Sequence, residues 1–152
     1  MFAAGGAALS LLENALPRPL PWMRIGLANV ATLLALYLYS ARAALSVALL
    51  RVLLGGVLGR GFGPGFLLSA GGGLAAWGAM SAVRGAFGRA FSVVGVSVWG
   101  ALAHNLTQLT LAHLVIVRTG AIWGLLPAFL WAAGVAGVVT GVLAYSGLKL
   151  LE

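Results

Sequence analysis

Long apolar runs alternate along the chain with short breaks that contain arginine, proline or glycine. A helix that crosses a bilayer needs about 20 mostly apolar residues, and most of the runs approach that length. The pattern therefore predicts six membrane helices, at about 2–16, 25–41, 43–59, 66–83, 91–117 and 121–148. Between them we expect loops, including the segments PRPLP (17–21), RGFGPGF (60–66) and RGAFGR (84–89).

The composition fits this pattern, because 62% of the 152 residues are hydrophobic and only 7% are charged. A soluble domain is about 25% charged. Six spans use roughly 120 positions, which leaves no room for a soluble domain. The sequence predicts an all-α, polytopic protein of the cell membrane: one integral membrane domain over 1–152, folded as a six-transmembrane-helix bundle.

Several residue types that catalysis commonly uses are rare or missing. Asp and Cys are absent, Lys149 is the single lysine, and Glu13 and Glu152 carry the only carboxylate side chains. Magnesium sites built on paired aspartates, thiolate metal sites and a Ser-His-Asp triad are therefore excluded. The lysine is not in a phosphate-binding loop either. We expect no enzyme activity, no cofactor and no metal, and an energy input from a gradient or a partner.

A net charge of +7 can indicate a protein that binds nucleic acid. The nine cations fall at intervals between apolar stretches and form no basic run or face, so they are typical of membrane loops. The expected surroundings are membrane lipid, and no nucleic-acid partner is predicted.

Arg51 lies near the middle of the predicted third helix. A charge near the centre of a span costs about 2.5–3.5 kcal/mol on insertion scales, so it must face a partner or a cavity. Two interpretations stay open. Arg51 either has a structural role, paired with Glu13 or capping carbonyls at a broken helix, or it binds an anion.

A second polar group is AHNLTQL (103–109) in the fifth helix. At 100° per residue, His104, Thr107 and Gln108 share a face and Asn105 is turned a quarter away. The group either makes hydrogen bonds between helices or lines a ligand cavity. His113 lies on the opposite face from His104, and no third ligand is available, so a metal site is not expected.

A smaller polar patch, Asn29 and Thr32, follows Arg24 and the proline loop. If the second, third and fifth helices converge, these groups line one cavity. It would suit a solute with an anionic or strongly polar head and an apolar body, such as a vitamin-like acid, a quinone precursor or a prenyl phosphate. The candidate substrate-binding residues are Glu13, Arg24, Asn29, Thr32, Arg51, His104, Asn105 and Gln108.

Small residues mark two candidate contact surfaces, because they let helix backbones approach closely in lipid. On the sixth helix, Gly137 and Gly141 form a GxxxG pair that favours packing inside the bundle. On the first helix either internal packing or docking onto a separate membrane subunit is possible. That surface consists of Ala3, Ala4, Ala7 and Ala8.

Three stretches carry a family resemblance: RIGLANVATLLALYLYSARAALSVALLRVLLGG (24–56), LLSAGGG in the fourth span, and FSVVGVSVWGALAHNLTQL (91–109). They resemble the Gx transporter family, also labelled heptaprenyl diphosphate synthase component I. The resemblance implies kinship with the substrate-binding S components of energy-coupling factor (ECF) transporters, which are six-helix membrane proteins with both termini in the cytoplasm.

This resemblance leaves two functions open. One is a substrate-binding membrane subunit that works with an ECF transmembrane coupling subunit and ATPases. The other is a non-catalytic membrane component that assists prenyl diphosphate or quinone metabolism by binding a lipid or an enzyme. Prenyl diphosphate synthases hold magnesium with aspartate-rich motifs, and a chain without Asp cannot do so.

The predicted topology can be tested by cysteine labelling, since the chain has no native cysteine. With six spans, single cysteines at positions 5 and 148 should react with an impermeant maleimide from the same side of the membrane. Labelling of the two positions from opposite sides would contradict the six-span arrangement.

Overall fold

Five α-helices make up most of the part of the chain that the structure describes. The computed structural model describes residues 29–57, 61–88 and 90–151. We number the helices α1 (Asn29–Leu38), α2 (Ala41–Gly55), α3 (Pro64–Phe87), α4 (Val93–Leu111) and α5 (Leu126–Leu151). A π-helical turn (Ala112–Val117) and a 3-10 helix (Gly120–Leu125) connect α4 to α5. These ranges contain no strand, so the predicted all-α class is confirmed there.

The predicted helix 2–16 lies outside the described residues, and so do the candidate residues on it and Arg24. Three described segments are long and apolar enough to cross a membrane: Pro64–Phe87, Val93–Val117 and Gly120–Leu150. Within the described residues, α1 has 10 residues and α2 has 15. The described part therefore has three segments of spanning length, and six spans stay a prediction.

The break between α1 and α2 falls at Tyr39 and Ser40, two or three residues earlier than predicted. Ser40 is the N-cap of α2, and its Oγ accepts a hydrogen bond from the backbone N–H of Ala43 at 3.2 Å. This bond satisfies one of the backbone donors that every helix leaves open at its start. The serine, and not Arg42, therefore marks the boundary.

The predicted loop at 84–89 was wrong, because α3 continues to Phe87. The Arg84 guanidinium donates a hydrogen bond to the Leu36 carbonyl near the end of α1 and lies 4.2 Å from the centre of the Tyr37 ring. The last carbonyls of a helix have no partner within it, and a cation suits them. Arg84 thus joins two helices and does not interrupt its own.

The five helices are arranged in a ring. Each packs against the next along the chain, from α1 to α5, and α5 packs back against α1. The most extensive packing is that of α4 against α3 on one side and α5 on the other. Side chains of α4 that point inward are therefore enclosed by both neighbours.

Close approach of α4 and α5 depends on two glycines. A Cβ atom added at Gly137 would lie 2.6 Å from Val98 Cα, and one added at Gly141 would lie 2.6 Å from Val94 Cα. Both contacts are with backbone, which cannot rotate away. The GxxxG pair therefore serves packing inside the bundle, and the prediction made for it is confirmed.

Two apolar clusters lie at different levels of the bundle, and the buried polar residues lie between them. On α3, Leu68 belongs to one cluster and Ala76 and Met80 to the other. On α4, Val96 and Leu109 are divided in the same way. The polar residues between these levels form what we call the polar layer: Asn29, Thr32, Arg51, Ser69, Ser97, His104, Asn105, Gln108 and Thr140.

The close contact between α4 and α5 leads to a stability prediction. Gly137→Ala should lower the thermal unfolding midpoint in detergent, with a loss of about 1–3 kcal/mol, because the added methyl group meets the Val98 backbone. Gly134→Ala is the matched control on the same helix, since a Cβ there meets nothing within 4 Å. Equal midpoints for the two variants would contradict the tight contact.

Candidate functional site

The polar layer contains a charged side chain in a mostly apolar bundle. Arg51 is 6% exposed, and its Nη2 donates a hydrogen bond to Asn29 Oδ1 at 2.6 Å. A buried charge needs such a partner. Arg51 lies in the second half of α2, and helical backbone continues beyond α2 through residues 56 and 57. The partner seen here is an amide on α1, whereas Glu13 lies outside the described residues.

Three consecutive glycines on α3 make room for side chains of neighbouring helices. A Cβ added at Gly73 would lie 3.0 Å from Arg51 Nη2, and one added at Gly72 would lie 2.9 Å from the His104 ring and 3.2 Å from Gln108 Cγ. Gly71 faces Leu111 in the same way. Polar groups of α2 and α4 therefore rest against α3 on adjacent residues.

This role of the glycines was missed from the sequence, although a signal was present. Glycine inside a helix is less favourable than alanine by about 0.8–1.0 kcal/mol per residue. Three in succession within a predicted span therefore call for a packing reason. In the sequence analysis, the GGG segment was used only as one of the stretches that carry the family resemblance.

Asn105 of α4 makes a hydrogen bond to the N-terminal part of α5. Its Nδ2 donates a hydrogen bond to the backbone carbonyl of Phe129 at 3.1 Å. Phe129 lies in the first turns of α5 and is 1% exposed. Because the NH2 group faces α5, the Asn105 carbonyl oxygen faces away from α5.

A cavity opens within the polar layer. The space between its atoms is about 280 Å³ including the open mouth, but the interior has room for about one water molecule as the side chains stand. Polar and apolar groups share its wall. The lining residues are Asn29, Met80, Ser97, Gly100, Ala101, His104, Asn105, Ala136 and Thr140.

The structure brings three of the predicted site residues to this cavity and leaves three others outside its lining. Asn29, His104 and Asn105 line the wall. Thr32, Arg51 and Gln108 are buried in the polar layer but are not in the lining. The described wall comes from α1, α3, α4 and α5. The helix α2 reaches the wall through the bond from Arg51 to Asn29.

Six lining residues were not among the predicted site residues: Met80, Ser97, Gly100, Ala101, Ala136 and Thr140. Ser97 and Thr140 are polar residues inside otherwise apolar runs, and Thr140 lies beside the GxxxG glycine Gly141. That position was the available signal, because a lone hydroxyl in a span usually faces the bundle interior. Met80 had no such signal, since methionine is an ordinary core residue.

Two further members of the polar layer, Gln108 and Thr32, are fully buried, with 0% of each residue exposed. In the described part of the chain, neither the Gln108 amide nor the Thr32 hydroxyl has a hydrogen-bond partner. A buried polar group without a partner costs about 1–3 kcal/mol. We therefore expect these two groups to be less favourable to the fold than apolar side chains of the same size.

His113 lies away from the cavity, in the π-helical turn after α4. Its Nδ1 is 3.2 Å from the Thr119 carbonyl oxygen, and its ring centre is 5.8 Å from that of Trp123. Within the described ranges, no three His, Cys, Asp or Glu side chains come together as metal ligands would. His113 thus belongs to the connection between α4 and α5.

Comparisons with known proteins agree with the resemblance seen in the sequence. A family model described as heptaprenyl diphosphate synthase component I matches residues 2–146. The chain belongs to this family. No curated protein matches the chain. Among solved structures, it is similar to the S component of a bacterial ECF transporter, with a TM-score of 0.74 and 16% identity over 99% of this chain and 90% of that one. This family member therefore has the fold of an S component.

The two buried amides of α4 lead to opposite stability predictions. Gln108→Met should raise the unfolding midpoint in detergent by the equivalent of about 1 kcal/mol, because it removes an amide without described partners and keeps the side-chain length. Asn105→Leu should lower it by about 1–3 kcal/mol, because it leaves the Phe129 carbonyl unpaired. A loss of stability in Gln108→Met equal to that in Asn105→Leu would contradict this difference.

Proposed function

We propose that this family member is the substrate-binding membrane subunit of an ECF-like transporter. The observation that carries the proposal is the cavity in the polar layer, which joins amide, hydroxyl and imidazole groups to apolar wall atoms inside a bundle with the S-component fold. Ligand sites are commonly apolar clefts with a few polar groups that set orientation.

The solute that suits this wall is small and has a polar head and an apolar body. Asn29, His104 and Asn105 supply the polar contacts, and Met80, Ala101 and Ala136 supply the apolar ones. Vitamin-like molecules, quinone precursors and prenyl-phosphate-like molecules have this composition.

Thr32, Arg51 and Gln108 support the wall from behind, while Glu13 and Arg24 are proposed to contribute from the part of the chain before α1. A solute needs more space than the interior now offers. The flexible thioether of Met80, which fills the gap over Gly100, is the side chain best able to move aside.

In this proposal the chain spans the cell membrane several times and takes energy from other subunits. It has no Asp and no phosphate-binding loop, so ATP hydrolysis is assigned to separate ATPases through a transmembrane coupling subunit. The surface proposed to dock that subunit is formed by Ala3, Ala4, Ala7 and Ala8.

Purification in mild detergent tests the proposal. The full chain, expressed in its own cell, should co-purify with ATP-binding subunits and a further membrane subunit, identified by mass spectrometry. Co-purification with a soluble prenyltransferase, in the absence of ATPases, would instead support a non-catalytic component of prenyl or quinone metabolism, the function that the family's description suggests.

The proposed docking surface leads to a mutational prediction. The double variant Ala4→Leu and Ala8→Leu should lose the partner subunits but keep the unfolding midpoint, because the larger side chains hold two backbones apart. The matched control is Ala82→Leu with Ala86→Leu, an exposed pair of the same spacing on α3, which should keep its partners. Retention of the complex by the first variant would exclude this alanine surface.

A further inference from the structure

We infer that the cavity selects a neutral ligand group that both accepts and donates a hydrogen bond, such as an amide, a lactam or a urea. In this assignment Asn29 is the donor to the ligand and Asn105 is the acceptor from it. The inference rests on the proposed function and names the chemistry of the solute's polar head.

The first step concerns Asn29. A guanidinium has donors and no acceptor, so the atom of Asn29 that faces Arg51 must be the carbonyl oxygen. The amide NH2 is at the opposite end of the same planar group. Because Asn29 also lines the cavity, Arg51 acts as a positioning residue that leaves the NH2 as the end available to a ligand.

The second step concerns Asn105, where the orientation is reversed. A backbone carbonyl only accepts, so the atom of Asn105 that faces Phe129 must be the NH2. The Asn105 carbonyl oxygen is then the end available to a ligand, and Asn105 lines the same cavity. One amide thus presents a donor and the other an acceptor.

The hydroxyls of Ser97 and Thr140 rotate and can donate or accept, so they do not impose a polarity on the ligand. The two amides are fixed by partners outside the cavity. They therefore decide which ligand groups match.

Among the solutes proposed above, the wall argues against those with a carboxylate or phosphate head, including prenyl phosphates. The Arg51 guanidinium lies behind Asn29 and is not part of the lining. An anionic oxygen that accepts from Asn29 has no hydrogen to offer the Asn105 carbonyl oxygen, and burial of an unpaired charge is unfavourable. A neutral amide carries both an acceptor for Asn29 and a donor for Asn105.

Three probes of one shape test the assignment: benzamide, benzoate and benzamidine. They present, respectively, one acceptor and one donor, two acceptors, and two donors. Their apparent dissociation constants can be measured from the shift of the unfolding midpoint of the purified full chain with probe concentration. We expect benzamide to bind at least about tenfold more tightly than either of the others, the loss expected when a buried hydrogen bond becomes mispaired. Tightest binding of benzoate would overturn the inference in favour of an anion site.

The decisive variant is Asn29→Asp. Aspartate has the shape of asparagine and still accepts from Arg51, but the end that faces the cavity becomes an oxygen. The ratio of benzamide affinity to benzamidine affinity should fall by at least about tenfold. A role in folding alone would leave this ratio unchanged, so an unchanged ratio overturns the assignment.

Thr140→Val is the matched control, because it removes a hydroxyl from the same wall without changing side-chain shape. It should leave the ratio within about threefold of the original. A change as large as that of Asn29→Asp would mean that general polarity, and not the two amides, sets the preference.

Failure of this inference differs from failure of the proposed function. If the full chain co-purifies with ATPases but binds none of the three probes, the assignment of the two amides is wrong and the transporter subunit stands. If no ATPases co-purify, the proposed function fails whatever the probes do.

Discussion

A buried guanidinium imposes the main constraint on this bundle. Arg51 lies among apolar helices, where a charge must have hydrogen-bond partners. Asn29 is one such partner, and Gly73 gives the guanidinium space against the α3 backbone. The relative positions of α1, α2 and α3 are tied together at this point. The same bond sets the orientation of the Asn29 amide at the cavity wall, so a structural requirement of the membrane also shapes the candidate site.

Close backbone contacts allow the polar layer to exist. Gly72 accommodates His104 and Gln108 against α3, and Gly137 and Gly141 bring α5 against α4. Lipid provides little hydrophobic drive for helix association, so packing and interhelical hydrogen bonds supply most of it. The bond from Asn105 to the Phe129 carbonyl is one of these. The glycines are thus part of the site's architecture, although glycine has no side chain to contribute.

Two members of the polar layer are less well satisfied than the helix contacts around them. Gln108 and Thr32 are fully buried without a partner in the described part, and Met80 occupies the space over Gly100. Proteins often keep such destabilising groups where function needs them. Gln108 and Thr32 lie outside the cavity lining, whereas the flexible side chain of Met80 is part of it.

The sequence by itself determined the all-α membrane class, most helix positions and the burial of Asn29, Arg51, His104, Asn105 and Gln108, because apolar run length and the cost of polar groups in lipid are local properties. It also determined the packing role of Gly137 and Gly141. Only the tertiary structure decided that Arg84 continues its helix, that the GGG segment of α3 separates Arg51 from His104, and that Arg51 contacts Asn29. These contacts join residues far apart in the chain, and helical periodicity gives the face of each residue but not the neighbour that the face meets.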